Sequence, residues 1–382
     1  MKTEKIHFNR DGSCDFLKTL RDRVSLYFQE NNKSPKAVGK TYLKVFLMFS
    51  FLGSFYALLL SGIVGVLGVF AIYSILGLCI AIANMNVIHD ALHGSWTSHP
   101  LSNRLLGFIM DVFGTSSFYW KKEHTVDHHT FTNIKGHDAD LDTPILLRLC
   151  PEDPYRKYHR FQQWYAPLLY SLNLIRWVFV SDTRRIIRAI KDRKGSIGKP
   201  SRKELSAMII LKLLHFTLFL VLPFLMLPYS IAVILPAYLC MLALGGLTVT
   251  VIFQLAHIVE HVAFPMPSNN GALEYSFAKH QISTTANFGS KKGLSTFLFG
   301  GLNFQVEHHL FPHICHTHLP LISDIVRKTA AEFGMTYHHH KSLFAAVKSH
   351  FKTLRRLGAS ENLSAGPILK GPAEQIEQHP DV

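Results

Sequence analysis

Two stretches of this chain carry no charge at all. Val45 to Ile88 and Leu213 to Val259 contain no Asp, Glu, Lys or Arg, over 44 and 47 residues. One membrane crossing takes roughly 20 residues, so each stretch is long enough to cross twice. Each also has a break near its middle, Ser61-Gly62-Ile63-Val64-Gly65 in the first and Leu227-Pro228-Tyr229-Ser230 in the second. The expected fold is an all-α integral membrane protein. Four transmembrane helices, about 42–61, 65–88, 208–227 and 231–253, form two hairpins beneath a helical cap. A pair of buried helices in a soluble core would mimic one such run but not both. Over the whole 382-residue chain only 17% of residues are charged and mean hydropathy is +0.15. Soluble domains carry about 25% charged residues.

The two hairpin tips hold no Lys or Arg, so the 40 basic residues all fall on the other side. The positive-inside rule then places both termini, the central segment and the cap in the cytoplasm. A net charge of +14 needs no nucleic-acid partner. Basic flanks such as Arg184-Arg185 and Lys191 to Lys194 sit where anionic headgroups attract them, and would also suit an acidic redox partner or a ligand phosphate. The first apolar segment begins only near Tyr42 and reads as a retained helix, not a signal peptide. Five scattered cysteines with no C-x-x-C pair indicate neither a disulfide framework nor a zinc ribbon.

Three divisions follow: a polar segment 1–40, a membrane domain 41–340, and a C-terminal helix with a loose tail, 341–382. The first contains an amphipathic helix over Ser13 to Asn31, with Phe16, Leu20, Val24 and Tyr27 on one face and Ser13 as its N-cap. Residues 101–119 and 161–180 are apolar but interrupted, which suits helices lying in the membrane interface. Residues 181–204 read as a basic connection. Further helices are expected over 319–333 and 341–356. No repeat of fixed period is present.

Histidines cluster just beyond the charge-free stretches. His89-Asp-Ala-Leu-His93 continues the second span; His124-Thr-Val-Asp-His128-His129 and Gln305-Val-Glu-His308-His309 follow later; His257-Ile-Val-Glu-His261 leaves the fourth span. Spacing of four puts two rings on one helical face, as expected for His89/His93, His124/His128 and His257/His261. Neutral imidazole is a good ligand for borderline metals, and ionisable groups near membrane depth tend to be functional. All-imidazole donors argue against Mg and Ca. One zinc takes four ligands, so eight or nine histidines suffice for two metals with positions left open. Asp90, Asp127 and Glu307 are candidate acceptors for ring N–H groups.

These boxes resemble those of the membrane fatty acid desaturases, over roughly residues 40–340. HDALHGS, WKKEHTVDHHTFTN and NFQVEHHLFPHICHTH carry the likeness. Gln305 at the head of the third box, and GHDADLDTPILLRLCP after the second, match the front-end group, which desaturates between an existing double bond and the carboxyl end. The resemblance implies a di-iron centre that uses O2 and two electrons to remove two hydrogens from an acyl chain. It implies His89, His93, His124, His128, His129, His257, His308 and His309 as ligands. Gln305, His261, His313 and His316 are less secure, and His338-His339-His340 is read as surface. The HPGG haem motif of a fused cytochrome b5 is missing, which implies a separate donor such as a ferredoxin or a free cytochrome b5 with its reductase. The tunnel expected for the chain draws on Phe113–Tyr119 and Phe297–Phe304. A hydroxylase on the same scaffold shares these ligands. A metal transporter would need more polar spans, and a zinc hydrolase would carry H-E-x-x-H, which is absent.

Overall fold

The computed structural model describes residues 6–9, 14–141, 145–191 and 199–359. It is mostly helical, with four helices long and apolar enough to cross a membrane: Gly39–Leu60 (α1), Val66–His93 (α2), Arg202–Met226 (α3) and Ile231–His257 (α4). They run longer than their apolar cores suggest, because α2 continues through His89 and His93 and α4 continues to His257. Their outer faces expose Phe46 (65%) and Leu225 (71%). Water would not tolerate so continuous an apolar surface.

Contacts between these helices depend on small residues and stray carbonyls. At Gly77 of α2 a Cβ would lie 2.2 Å from the Met241 carbonyl oxygen of α4, so the two backbones touch there. On α3, Pro223 has no N–H to offer the carbonyl four residues back. That carbonyl, on Phe219, accepts from the Tyr73 hydroxyl at 2.7 Å, and Leu218 O accepts from Tyr56 at 2.6 Å. Both lie in a π turn, Thr217–Val221. Backbone groups freed inside the apolar layer thus find side-chain partners.

Outside these four, helix Cys14–Glu30 buries Phe16, Leu20, Val24 and Phe28. Phe28, rather than Tyr27, completes the buried stripe; the expected cap Ser13 lies outside the described residues. This helix packs on Leu319–Glu332, where Arg23 Nη2 meets Glu332 Oε2 at 2.7 Å. The segment 101–119 is not one interfacial helix: it breaks into Pro100–Gly107 and Ile109–Val112 before Gly114 turns the chain at φ +103°. Gln162–Arg176 forms as expected and packs along α4, leaving Trp164, Leu168 and Leu172 exposed on one stripe. Helix continues through Asp182–Lys191 where a connection was expected; 192–198 and the tail from 360 lie outside the described residues. Helix Leu343–Leu357 closes the described chain. Two short parallel strand pairs qualify the all-α expectation, His7–Phe8 with Ala272–Leu273 and Ala286–Phe288 with His338–His340. The His338–His340 run is therefore a partly buried strand, with the His339 ring bonded to Gly289 O at 2.7 Å.

Candidate metal centre

Four elements converge at one end of α2 and α4: the end of α2 with His89 and His93, helix 117–131 with His124, His128 and His129, the last residue of α4, His257, and the short helix Gln305–Leu310 with His308 and His309. Two of them are wound as π turns just where they enter the site, Asn84–Ile88 and Glu123–His128. Such bulges are rare and gather at functional sites. Their hydrogen bonds run five residues apart, so His129 N–H reaches His124 O. His124 and His128 stay neighbours, as their spacing predicts, with stacked rings 5.2 Å apart and ring nitrogens within 4.8 Å of each other and of Asp140, but each also faces a different set. His124 Nε2 lies 3.3 Å from His129 Nε2, while His128 joins His257 and His309.

All eight of these histidines are buried or nearly so, and they fall into two neighbouring sets. His89, His93, His124 and His308 present ring nitrogens within 4.8 Å of one another, as do His128, His257 and His309. His129 lies between, its ring 4.6 Å from His308 and 4.3 Å from His309. His89 Nε2 and His124 Nε2 are 3.1 Å apart. Metal–imidazole bonds of about 2.1 Å meeting at right angles separate adjacent nitrogens by about 3 Å. The Nε2 atoms of His93, His128, His257, His308 and His309 are buried with no hydrogen-bond partner. Leaving so many unpaired is costly unless something else binds them. Burial pushes His124, His129, His308 and His309 well below the usual imidazole range, and neighbouring rings push them further. Neutral imidazole is the form that binds metal, so the donor set fits metal ions.

While these nitrogens stay free, the opposite ones are held. His128 Nδ1 meets Asp138 Oδ1 at 3.0 Å, His309 Nδ1 meets Gln281 Oε1 at 2.9 Å, and His257 Nδ1 meets Thr284 O at 3.2 Å. Such partners fix which nitrogen faces a metal. Asp138 also accepts from Asn133 N at 2.8 Å and Asp140 N at 3.0 Å. Asp138 stands in the GHDADLD segment; nothing in the sequence pointed to Gln281.

The three acids expected in this role behave differently. Asp127 is partly exposed and bonds no ring among the described residues, since it projects from the outer side of its helix turn. Glu307 accepts from Tyr337 OH at 2.6 Å and Asn287 Nδ2 at 2.7 Å, and burial raises its carboxyl to about 7. Asp90 accepts from His316 through both ring Nδ1 (2.8 Å) and backbone N (2.9 Å), while His89 Nδ1 stays 3.7 Å away. His316 thus pins the loop after the third box to the first box and joins neither set. His261 is outside altogether. Helix α4 stops at His257, so the spacing of four has no helix to act on, and His261 (φ +76°) is exposed against His338. His313 is exposed too, and Gln305 is buried with both amide atoms unpartnered.

Residues 65–341 match the family model described as "Fatty acid desaturase". The chain belongs to the fatty acid desaturase family. The desaturase is 34% identical over 363 residues to an sn-1 linoleoyl-lipid 6-desaturase of Synechocystis, covering 94% of this chain and 99% of that one. A second sn-1 linoleoyl-lipid 6-desaturase, from Arthrospira platensis, is 30% identical, covering 95% and 97%. An acyl-lipid (8-3)-desaturase of Physcomitrium patens is 32% identical, covering 91% of this chain and 72% of that one. Family members use iron and act on fatty acyl chains at a membrane, and the histidine sets here are able to bind metal.

An acyl chain needs an apolar slot beside these histidines, and the desaturase has one between α2, α4 and Gln162–Arg176. His89 and Trp120 bound it at the metal end, Ile80 and Gly245 lie deeper, and the helix of Leu174 closes one side. From Phe253 to Gly245 it follows α4 for about 12 Å. Its empty volume is about 590 Å³ with its open mouth included. Of the expected linings Phe113–Tyr119 contributes Thr115 and Phe297–Phe304 contributes none, because α2 and α4 themselves form the walls. Trp120 also stacks on His124, with ring centres 4.3 Å apart.

Proposed function

We propose that this desaturase inserts a cis double bond into a lipid-linked acyl chain, on the carboxyl side of a double bond already present. In this reading the eight histidines hold two irons, with Gln305 beside the His128 set as a weak or water-bridged ligand. The four spans stand as two hairpins, and the site and both termini face the cytoplasm. One observation carries the proposal: His89 belongs to the convergent histidines and also forms the wall of the apolar pocket. The names of the relatives and Gln305 support the front-end assignment.

Bound there, the irons would supply the oxidising power of O2, consuming two electrons and two protons and releasing two waters as the chain loses two hydrogens. The protein's own contribution is positional. Methylenes along a chain are chemically alike, so the carbon attacked is the one the pocket holds beside the metal end. Trp120 and Phe253 exclude water there. Asp138, Gln281 and Thr284 O keep the rings of His128, His309 and His257 oriented. A separate protein carrier, of the ferredoxin or cytochrome b5 kind, delivers the electrons.

The test is expression in a host supplied with defined fatty acids, followed by mass spectrometry that locates each double bond. A product two hydrogens lighter, with its new bond toward the carboxyl end, is expected. Gain of one oxygen would mean hydroxylation, and a new bond on the methyl side would refute the front-end assignment.

A further inference from the structure

The acyl pocket carries polar groups that a saturated chain does not need. Asn84 lies one π turn below His89: the His89 N–H bonds to Asn84 O, and both residues line the pocket. Asn84 Nδ2 donates to Ile80 O at 3.1 Å on its own helix, but its Oδ1 is buried without a partner. On the α4 wall Thr250 Oγ1 accepts from Asn173 Nδ2 at 3.1 Å. Its own hydrogen goes to no acceptor among the described residues. Thr248, two residues earlier, shows the usual alternative, donating to Leu244 O at 2.8 Å. A threonine inside a helix commonly turns its hydroxyl back in this way.

An unspent acceptor on one wall and an unspent donor on another therefore share one apolar slot, about a turn below the reacting position. Unpartnered polar groups in such a place are unfavourable. Methylenes offer them nothing. A cis double bond offers both complements, polarised C–H groups along its edge for an amide oxygen and an electron-rich face for O–H or N–H. Such contacts are weak but directional.

We propose that Asn84, Thr250 and Asn173 form a polar band that reads an existing double bond in the bound chain and thereby sets the register of the new one. The proposal rests on the front-end reading above. It makes Asn84 and Thr250 residues that determine specificity, while the histidines perform the same chemistry on any chain held beside them.

The test compares wild type with Asn84→Leu, Thr250→Val and the double variant in full-length enzyme, in membranes supplied with equal stearate and linoleate. Products are measured by mass spectrometry and iron per chain is assayed in parallel. Each single variant is expected to lower the linoleate-to-stearate product ratio by about threefold, and the pair by on the order of tenfold, with iron unchanged. A double variant that keeps the wild-type ratio within twofold overturns the band, and if its total activity falls as well, the polar groups hold a water instead. Should Asn84→Leu lose iron through misfolding, Thr250→Val decides alone, since it keeps shape and removes only the hydroxyl. Failure of the front-end reading would show separately, in wild type making no new bond on the carboxyl side.

Discussion

Replacing Asp138 with Asn tests the claim that orientation of the histidine rings, and not merely their presence, builds the metal centre. Asp138 is 1% exposed, and its two oxygens take three hydrogen bonds, from His128 Nδ1, Asp140 N and Asn133 N. Burial alone would raise this carboxyl, but His128 outweighs it and holds it below the usual range. Asparagine keeps the shape and loses the charge. If its oxygen serves His128 and Asp140, its NH2 faces the Asn133 N–H, and two donors oppose each other. One lost charge-assisted bond and one stranded donor together cost about 2–4 kcal/mol of stability. Loss of such a ring partner lowers metal affinity about 10–100-fold. The deficit should fall mainly on the His128, His257 and His309 set. Iron per chain, measured on detergent-purified protein across a series of chelator concentrations, should drop from two toward one in Asp138→Asn as double-bond formation collapses. Asp127→Asn serves as the comparison, because Asp127 bonds no ring among the described residues; it should keep iron and activity within about twofold. Equal losses in both variants, or full iron in Asp138→Asn, would refute the argument.

Two further outcomes follow from the same structure. Burial holds His124, His129, His308 and His309 well below their ordinary value of 6.5, so the unfolded chain takes up protons first as pH falls. Their contribution to stability is present above pH 6.5 and drains away below it, at up to about 1.4 kcal/mol per pH unit for each ring; melting of the metal-free protein between pH 7.5 and 5 should show a steep fall, and a flat profile would contradict it. Gly77→Val should prevent α2 and α4 from closing, because its Cβ would stand 2.2 Å from Met241 O; the expected loss of more than about 3 kcal/mol would appear as degraded or aggregated protein in membranes, and normal yield with normal thermal stability would count against the close contact.

Much of the outline is legible along the chain because it obeys local rules. A run without charge must avoid water whatever surrounds it, so four long apolar helices could be read directly, their ends blurred only where α2 and α4 carry histidines past the apolar layer. The amphipathic stripe of Phe16, Leu20 and Val24 is equally local. Segment 101–119 misled because apolar composition does not reveal that the helix ends at Gly107 or that Gly114 turns the backbone at φ +103°.

For the site, sequence alone determined the supply of ligand-type residues: histidines at short spacings, next to charge-free spans, in numbers exceeding one metal's needs. Only the tertiary structure decided how they associate. Periodicity assumes 3.6 residues per turn, and the π turns at Asn84–Ile88 and Glu123–His128 depart from it: His124 and His128 remain neighbours, but His124 also meets His129 and His128 also joins His257 and His309. Helix α4 ending at His257 removed His261 for a similar reason. The partners of the outer nitrogens were also beyond reach of the sequence. Asp127 and Glu307 are ligand neighbours in the chain, yet Asp138 and Gln281 do the holding, because a ring's hydrogen-bond partner is set by which backbones pack together.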